Sequence, residues 1–275
     1  MIRLLKLFIS ILVHFIDQFE IVFHKIVGNK IPPKHIILYY HAVRQVQRER
    51  FAQQLDEIIR LAEPFQLDIK YPISNGIHNV AISFDDGFIS FFENALPELL
   101  KRNIPFTVFV PTGFLGRYPD WIKTKSHQFI SEKVMNQEQL RELMKCKIAS
   151  IGSHCVTHLN LLTLPGNEAK DEIYKSKSDL EKILGKAITT LSFPHGGFNQ
   201  AHIEYAKQAG YKRVFSILPT LAFVRGDEYI TGRILTDPTD WLLEFRLKLL
   251  GAYRWLPFAF NLKSRIRKTF FYHFT

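Results

Sequence analysis

Through the first thirty residues Leu, Ile, Val and Phe fill nearly every position outside one polar stripe. That stripe, at 3.6 residues per turn, carries Arg3, Lys6, Ser10, His14, Asp17, Glu20, His24 and Lys25. The pattern predicts an amphipathic helix within residues 1–31, with an apolar arc wider than a helix capping a globular domain needs. Its longest apolar stretch, Leu7 to Ile16, contains Ser10 and His14 and is followed by Asp17 and Glu20. That stretch is too short and too polar to span a bilayer comfortably, and no small-residue cleavage site follows it. The expectation is a helix lying in a membrane interface, with the protein peripheral on the cytoplasmic face. A helix docked on the outside of the domain, or a signal anchor with the domain outside the cell, are the alternatives.

After Pro32 and Pro33 the pattern changes to short apolar runs alternating with helical stretches, the signature of βα units around a parallel sheet. The runs 36–40, 80–84, 106–110, 148–153, 189–193, 212–216 and 229–235 are predicted strands. Helical spacing covers 50–62, 91–102, 137–145, 168–184 and 200–209, with Gly185 and Gly210 as C-terminal stops. Seven strands predict an α/β fold, an incomplete (β/α)7 barrel over residues 32–240. Such barrels place their chemistry at the C-terminal ends of the strands. Those ends carry His41, Asp85 with Asp86, Pro111 with Thr112, His154, Pro194 with His195, and Thr236.

Composition narrows the classes without changing this picture. A 275-residue chain with 47% hydrophobic residues is not disordered, collagenous or a coiled coil. Two cysteines, Cys146 and Cys155, make no disulfide framework and are expected to be structural and reduced. The net charge of +10 is uneven: residues 241–275 carry Arg246, Lys248, Arg254, Lys263, Arg265, Arg267 and Lys268 against Glu244 alone, interleaved with aromatics. That mixture suits an anionic lipid surface; a basic last helix packed on the core is the plain alternative. With no nucleic-acid motif beside the charge, no nucleic-acid partner is expected.

Three strand ends carry chemistry. Asp85-Asp86-Gly87 closes an apolar strand, so one carboxylate can bind a metal while the other faces bound water, although Asp-Gly is also a common turn. His154 and His158 follow another strand end with a spacing of four, which brings two imidazoles to one face of a helical turn. Two neutral nitrogens and one carboxylate make the open three-ligand site of a hydrolytic metal centre, whose water a neighbouring carboxylate can deprotonate. Ser192-Phe193-Pro194-His195-Gly196-Gly197 ends a third strand in a loop whose backbone can approach a ligand closely; alone it reads as an ordinary turn.

These elements in this order, about 70 and then about 35 residues apart, resemble the polysaccharide deacetylases, the chitin-deacetylase group of carbohydrate esterases. The resemblance extends to Ile37-Leu38-Tyr39-Tyr40-His41 and Ala209-Gly210-Tyr211 and covers roughly residues 34–237. It implies a distorted (β/α) barrel in which Asp85 is the catalytic base and Asp86, His154 and His158 hold a divalent metal, zinc first among the candidates. It further implies an oxyanion contact from the amide of His195, with Pro194, Gly196 and His41 near the substrate. The activity implied is removal of N-acetyl groups from hexosamine units of a polysaccharide or a lipid-linked glycan. Two departures stand out: the family's third motif usually carries an arginine that orients the base, where this chain has Ser192, and no late Leu-x-His supplies a general acid. His195 or His41 is the expected replacement acid. Asp237-Pro238-Thr239-Asp240-Trp241 looks superficially like another family motif but lies past the last predicted strand. The departures motivate the competing reading of a decayed, glycan-binding deacetylase barrel.

Overall fold

A computed structural model describes residues 2–67, 78–122, 132–226 and 228–259. Its centre is a curled parallel sheet: β1 (Lys34–Tyr40), β2 (Glu63–Pro64), β3 (His78–Phe84), β4 (Phe106–Val110), β5 (Ala149–Ser153), β6 (Thr190–Ser192), β7 (Arg213–Phe215), β8 (Ile230–Thr231) and β9 (Ile234–Leu235). The order is β8-β7-β6-β5-β4-β3-β1-β9, with β2 added beside β3. Every ladder is parallel, as strands joined by helical crossovers require.

The strands are buried on both faces, which is why they read as continuous apolar runs and not as alternating ones. Ile36, Leu38 and Tyr40 of β1 pack outward with Val80, Ile82 and Phe84 in the large core beneath the helices. Ile37, Ala81, Phe109 and Phe215 point the other way and fill the barrel with Phe65 and Phe223.

The helices are α1 (Ile2–Val27), α2 (Arg48–Leu61), α3 (Leu96–Lys101), α4 (Gln137–Leu143), α5 (Gly166–Leu184), α6 (Gln200–Gln208) and α7 (Leu242–Leu249). Gly185 ends α5 in the left-handed conformation at φ 64°, the stop its position predicts. The predicted helix 91–102 is divided, a π-helical turn at Phe91–Ala95 preceding α3.

The last predicted strand, 229–235, is also two pieces. Its first half, β8, pairs with β7, and its second half, β9, pairs with β1. Gly232-Arg233 steps between them, so one short segment touches both edges of the curled sheet. Only glycine fits at 232, where a Cβ would lie 2.1 Å from Thr220 Oγ1 and 2.2 Å from the Leu218 carbonyl.

Helix α1 docks on the barrel by its polar stripe. Asp17 is buried and ion-paired with Lys34 (2.7 Å) and Arg254, Arg3 pairs with Glu244 (2.6 Å), and Ser10 accepts a hydrogen bond from Trp255 Nε1 (3.0 Å). Burial pushes the Asp17 carboxyl up, but the two cations outweigh it and its pKa is lowered. Of the aromatic basic segment, residues 260–275 lie outside the described residues.

Candidate metal centre and catalytic carboxylate

The turns that leave β3, β5 and β6 converge at one end of the barrel and share an unusual backbone. Asp86 (φ 66°), Cys155 (φ 61°), His158 (φ 59°) and His195 (φ 56°) are left-handed, four of the six non-glycine residues with positive φ among the described residues. Such conformations cost energy in L-residues and persist where surrounding structure imposes them, most often at functional sites. Here they turn side chains of different strands toward a common point.

Asp86, His154 and His158 supply that point. Their ligand atoms all lie within 4.8 Å of one another, and all three residues are buried. Asp86 Oδ1 is 3.0 Å from His158 Nε2 and 3.5 Å from His154 Nε2. Two ligands of one tetrahedral ion, each about 2 Å from it, stand about 3.3 Å apart, so the spacing is that of a coordination shell. His154 Nδ1–H donates to the carbonyl of Ser192 (2.7 Å), which fixes the tautomer and leaves Nε2 with a lone pair. Burial holds the pKa of His154 down to about 4, keeping it neutral as a ligand must be. Asp86 Oδ1 receives no hydrogen bond although fully enclosed. An acceptor oxygen facing two imidazole nitrogens without a donor is unfavourable unless a cation sits between them. The donor set therefore fits a divalent cation. Trp121 closes one side, stacked on His158 with ring centroids 4.2 Å apart.

Asp85 is held away from this shell by a group the sequence reading missed. Arg233 is fully buried, and its Nη1 and Nη2 donate to Asp85 Oδ1 (2.7 Å) and Oδ2 (2.8 Å). Nη2 also donates to Ser192 Oγ (2.7 Å) and Nη1 to Ser83 Oγ (3.1 Å), while the guanidinium lies 4.6 Å from the centroid of Tyr39. The guanidinium expected at position 192 thus comes from position 233, with Ser192 as its hydrogen-bond partner. Burial pushes the Asp85 carboxyl up, but Arg233 first and His154 second outweigh it, so Asp85 is held ionised.

His41, at the end of β1, lies within electrostatic reach of both carboxylates. His195 Nε2 donates to the carbonyl of His158 (3.2 Å), and burial together with His158 lowers its pKa. Pro194, His195 and Gly196 form a 3₁₀ turn after β6. At Gly196 (φ 67°) a Cβ would meet Ile217 Cγ1 at 2.3 Å, which explains the glycine. Asp240 joins Lys248 (2.7 Å) and Asp237 caps its own turn by accepting from Thr239, so the 237–241 segment is structural. Cys146 and Cys155 are free thiols, and burial pushes that of Cys155 up.

The family model described as polysaccharide deacetylase matches residues 74–214, just over half of the chain. The chain belongs to the polysaccharide deacetylase family. Among its relatives, the poly-beta-1,6-N-acetyl-D-glucosamine N-deacetylase of Staphylococcus aureus is 28% identical over 165 residues, 57% of this chain and 54% of that protein. The chain spans about half the length of the curated relatives it matches. Its fold is shared with IcaB from Ammonifex degensii (TM-score 0.67, 24% identity, 80% of this chain and 97% of that one). It is shared as well with the deacetylase PplD of Streptococcus pyogenes (TM-score 0.63, 22% identity, 76% and 94%).

Two residues of this candidate site, Arg233 and Trp121, were not singled out in the sequence. Arg233 left a signal, a lone cation inside an apolar run; Trp121 left none.

Proposed function

We propose that the protein is a metal-dependent N-deacetylase acting on N-acetylhexosamine units of a polysaccharide, with a polymer of N-acetylglucosamine as the first substrate to test. One observation carries the reading: an ionised carboxylate, Asp85, fixed by Arg233 beside the Asp86, His154 and His158 cluster. Asp86, His154 and His158 would hold a divalent cation, zinc first among the candidates, which would polarise the amide carbonyl and acidify water. Asp85 takes the proton as the water oxygen adds to the carbonyl carbon. The backbone N–H of His195, in the turn after β6, is assigned to the developing oxyanion. The C–N bond then breaks, and acetate and a free amine leave once the nitrogen is protonated. His41 is favoured for that proton, because His195 is committed to the His158 carbonyl and burial disfavours its charged form.

The reading as a decayed glycan binder loses one of its two supports, since Arg233 supplies the missing guanidinium. The test is acetate release by metal-loaded protein from poly-β-1,6-N-acetylglucosamine, chitin oligomers and lipid-linked N-acetylhexosamine, with Asp85→Asn in parallel. Asp85→Asn is expected to keep its metal, measured by elemental analysis, and to lose about 10²–10⁴-fold in rate. No release from any substrate, or near-normal release by Asp85→Asn, overturns the proposal.

A further inference from the structure

Helix α1 is mounted inside out. Arg3, Ser10 and Asp17 of its polar stripe are spent on the barrel, while twelve large apolar side chains, among them Leu5, Phe8, Phe15, Phe19, Phe23 and Ile26, are each at least 48% exposed. At 3.6 residues per turn they occupy an arc of about 160° along a helix of roughly 39 Å. The surface continues onto the start of α7, where Trp241, Leu242 and Leu243 are also exposed, and Arg3 ties the two together by lying 4.2 Å from the Trp241 ring centroid. Monomeric soluble proteins rarely carry so large a continuous apolar face.

We infer that α1 and the first turn of α7 form a lipid-facing platform that lays the barrel on its side against an anionic bilayer, so that the catalytic mouth opens along the membrane surface. Charge complementarity selects the occupant: Lys6 and Lys25 lie beyond the edges of the apolar arc and Lys30 follows the helix, against the single exposed acid Glu20 at one edge, and the chain carries a net +10. An indole at the rim is suited to the boundary between headgroups and acyl chains. No helix among the described residues is long and apolar enough to cross the membrane.

The orientation follows from two contacts. Arg3 pairs with Glu244 in the first turn of α7, and the segment leading into α7 is tied to the C-terminal end of β1, since Gln54 donates to the Asp237 carbonyl and accepts from the Tyr40 hydroxyl. Asp17 pairs with Lys34, the first residue of β1, at the opposite end of the barrel. Helix α1 therefore runs down the barrel wall antiparallel to β1. Laying the helix in the interface lays the strands there too, with the mouth at one edge.

The test uses the full chain with phosphatidylcholine vesicles, with and without phosphatidylglycerol. Sedimentation should show binding that phosphatidylglycerol strengthens and salt weakens, and the double variant Phe15→Glu/Phe19→Glu should lower partitioning by tenfold or more. Both positions are exposed, so the variant should keep its melting temperature and its acetate release from soluble oligomers. Fluorophores attached to Phe19→Cys or Val46→Cys, in a Cys146→Ser background that leaves only the buried Cys155, read the orientation through lipid-borne quenchers. Phe19 should be quenched; Val46, 83% exposed in the loop beyond β1 at the mouth, should not. Equal quenching at both sites would turn the mouth into the bilayer and overturn the orientation. Failure to bind vesicles, or a dimer that Phe15→Glu/Phe19→Glu dissociates, would overturn the platform and assign the face to something other than lipid.

Discussion

A guanidinium with no access to water is tolerated only where every donor is used, and Arg233 meets that condition with Asp85, Ser83, Ser192 and the Ser216 carbonyl. Its work is to keep Asp85 ionised and aimed, so it is a positioning residue. Arg233→Met would leave a buried carboxylate unpaired, at a cost of about 3–5 kcal/mol, read as a lower midpoint in denaturant. The Asp85 pKa would rise with the cation gone, so the acid limb of the pH–rate profile should move to higher pH. Arg233→Lys should restore part of the stability without the two-pronged bond. An unchanged acid limb in Arg233→Met would remove the assignment. Asp85, Asp86, His154 and His158 were legible because they sit in short motifs at strand ends. Arg233 was not, because its partner lies 148 residues away and only the fold brings them together.

At the scale of elements, hydrophobic period identified most strands and helices to within a few residues, since burial on both faces gives strands their unbroken apolar runs. It failed where one run serves two neighbours: 229–235 reads as one strand, yet the crowding at Gly232 forces a step that hands the chain from β7 to β1. For α1 the period identified the helix and its polar stripe but not which face would turn inward. The Asp17 ion pairs give that docking a pH dependence. Asp17 has a lowered pKa in the folded protein, so its contribution is complete above the ordinary value of 3.8 and is lost as pH falls through the lowered one. Acidification should release α1 before the barrel unfolds, seen as protease cleavage near Gly28 and a change in Trp255 emission. Arg254→Met should raise the pH of that release, and an unshifted transition would show that Asp17 does not control it.

For the whole molecule, the cluster of Asp86, His154 and His158 joins turns from β3 and β5, so an ion bound there would staple that end of the barrel. Removal by a chelator should abolish acetate release and lower the melting temperature. The stabilisation lost is about 2.7 kcal/mol if the free metal had stood at 100 times its dissociation constant. Readdition of zinc should restore both, and a melting temperature indifferent to chelator and metal would mean that the cluster holds no structural ion. Chelation should leave the platform of α1 and α7 intact, because Arg3, Asp17, Glu244 and Arg254 make no contact with the ligands among the described residues.

By itself the sequence determined what local pattern can encode: strand and helix periods, the motifs at strand ends, and a helix with one polar stripe. These depend on side chains a few residues apart, and they sufficed for the parallel barrel and for the cluster of Asp86, His154 and His158. Tertiary structure alone decided which distant groups share the buried end of the barrel. It brought Arg233 beneath Asp85 in place of an arginine at 192, committed His195 to the His158 carbonyl, and turned the charged face of α1 inward. In each case burial makes an unpaired charge or polar group costly, and the partner that satisfies it is chosen by proximity in space, which no spacing along the chain records.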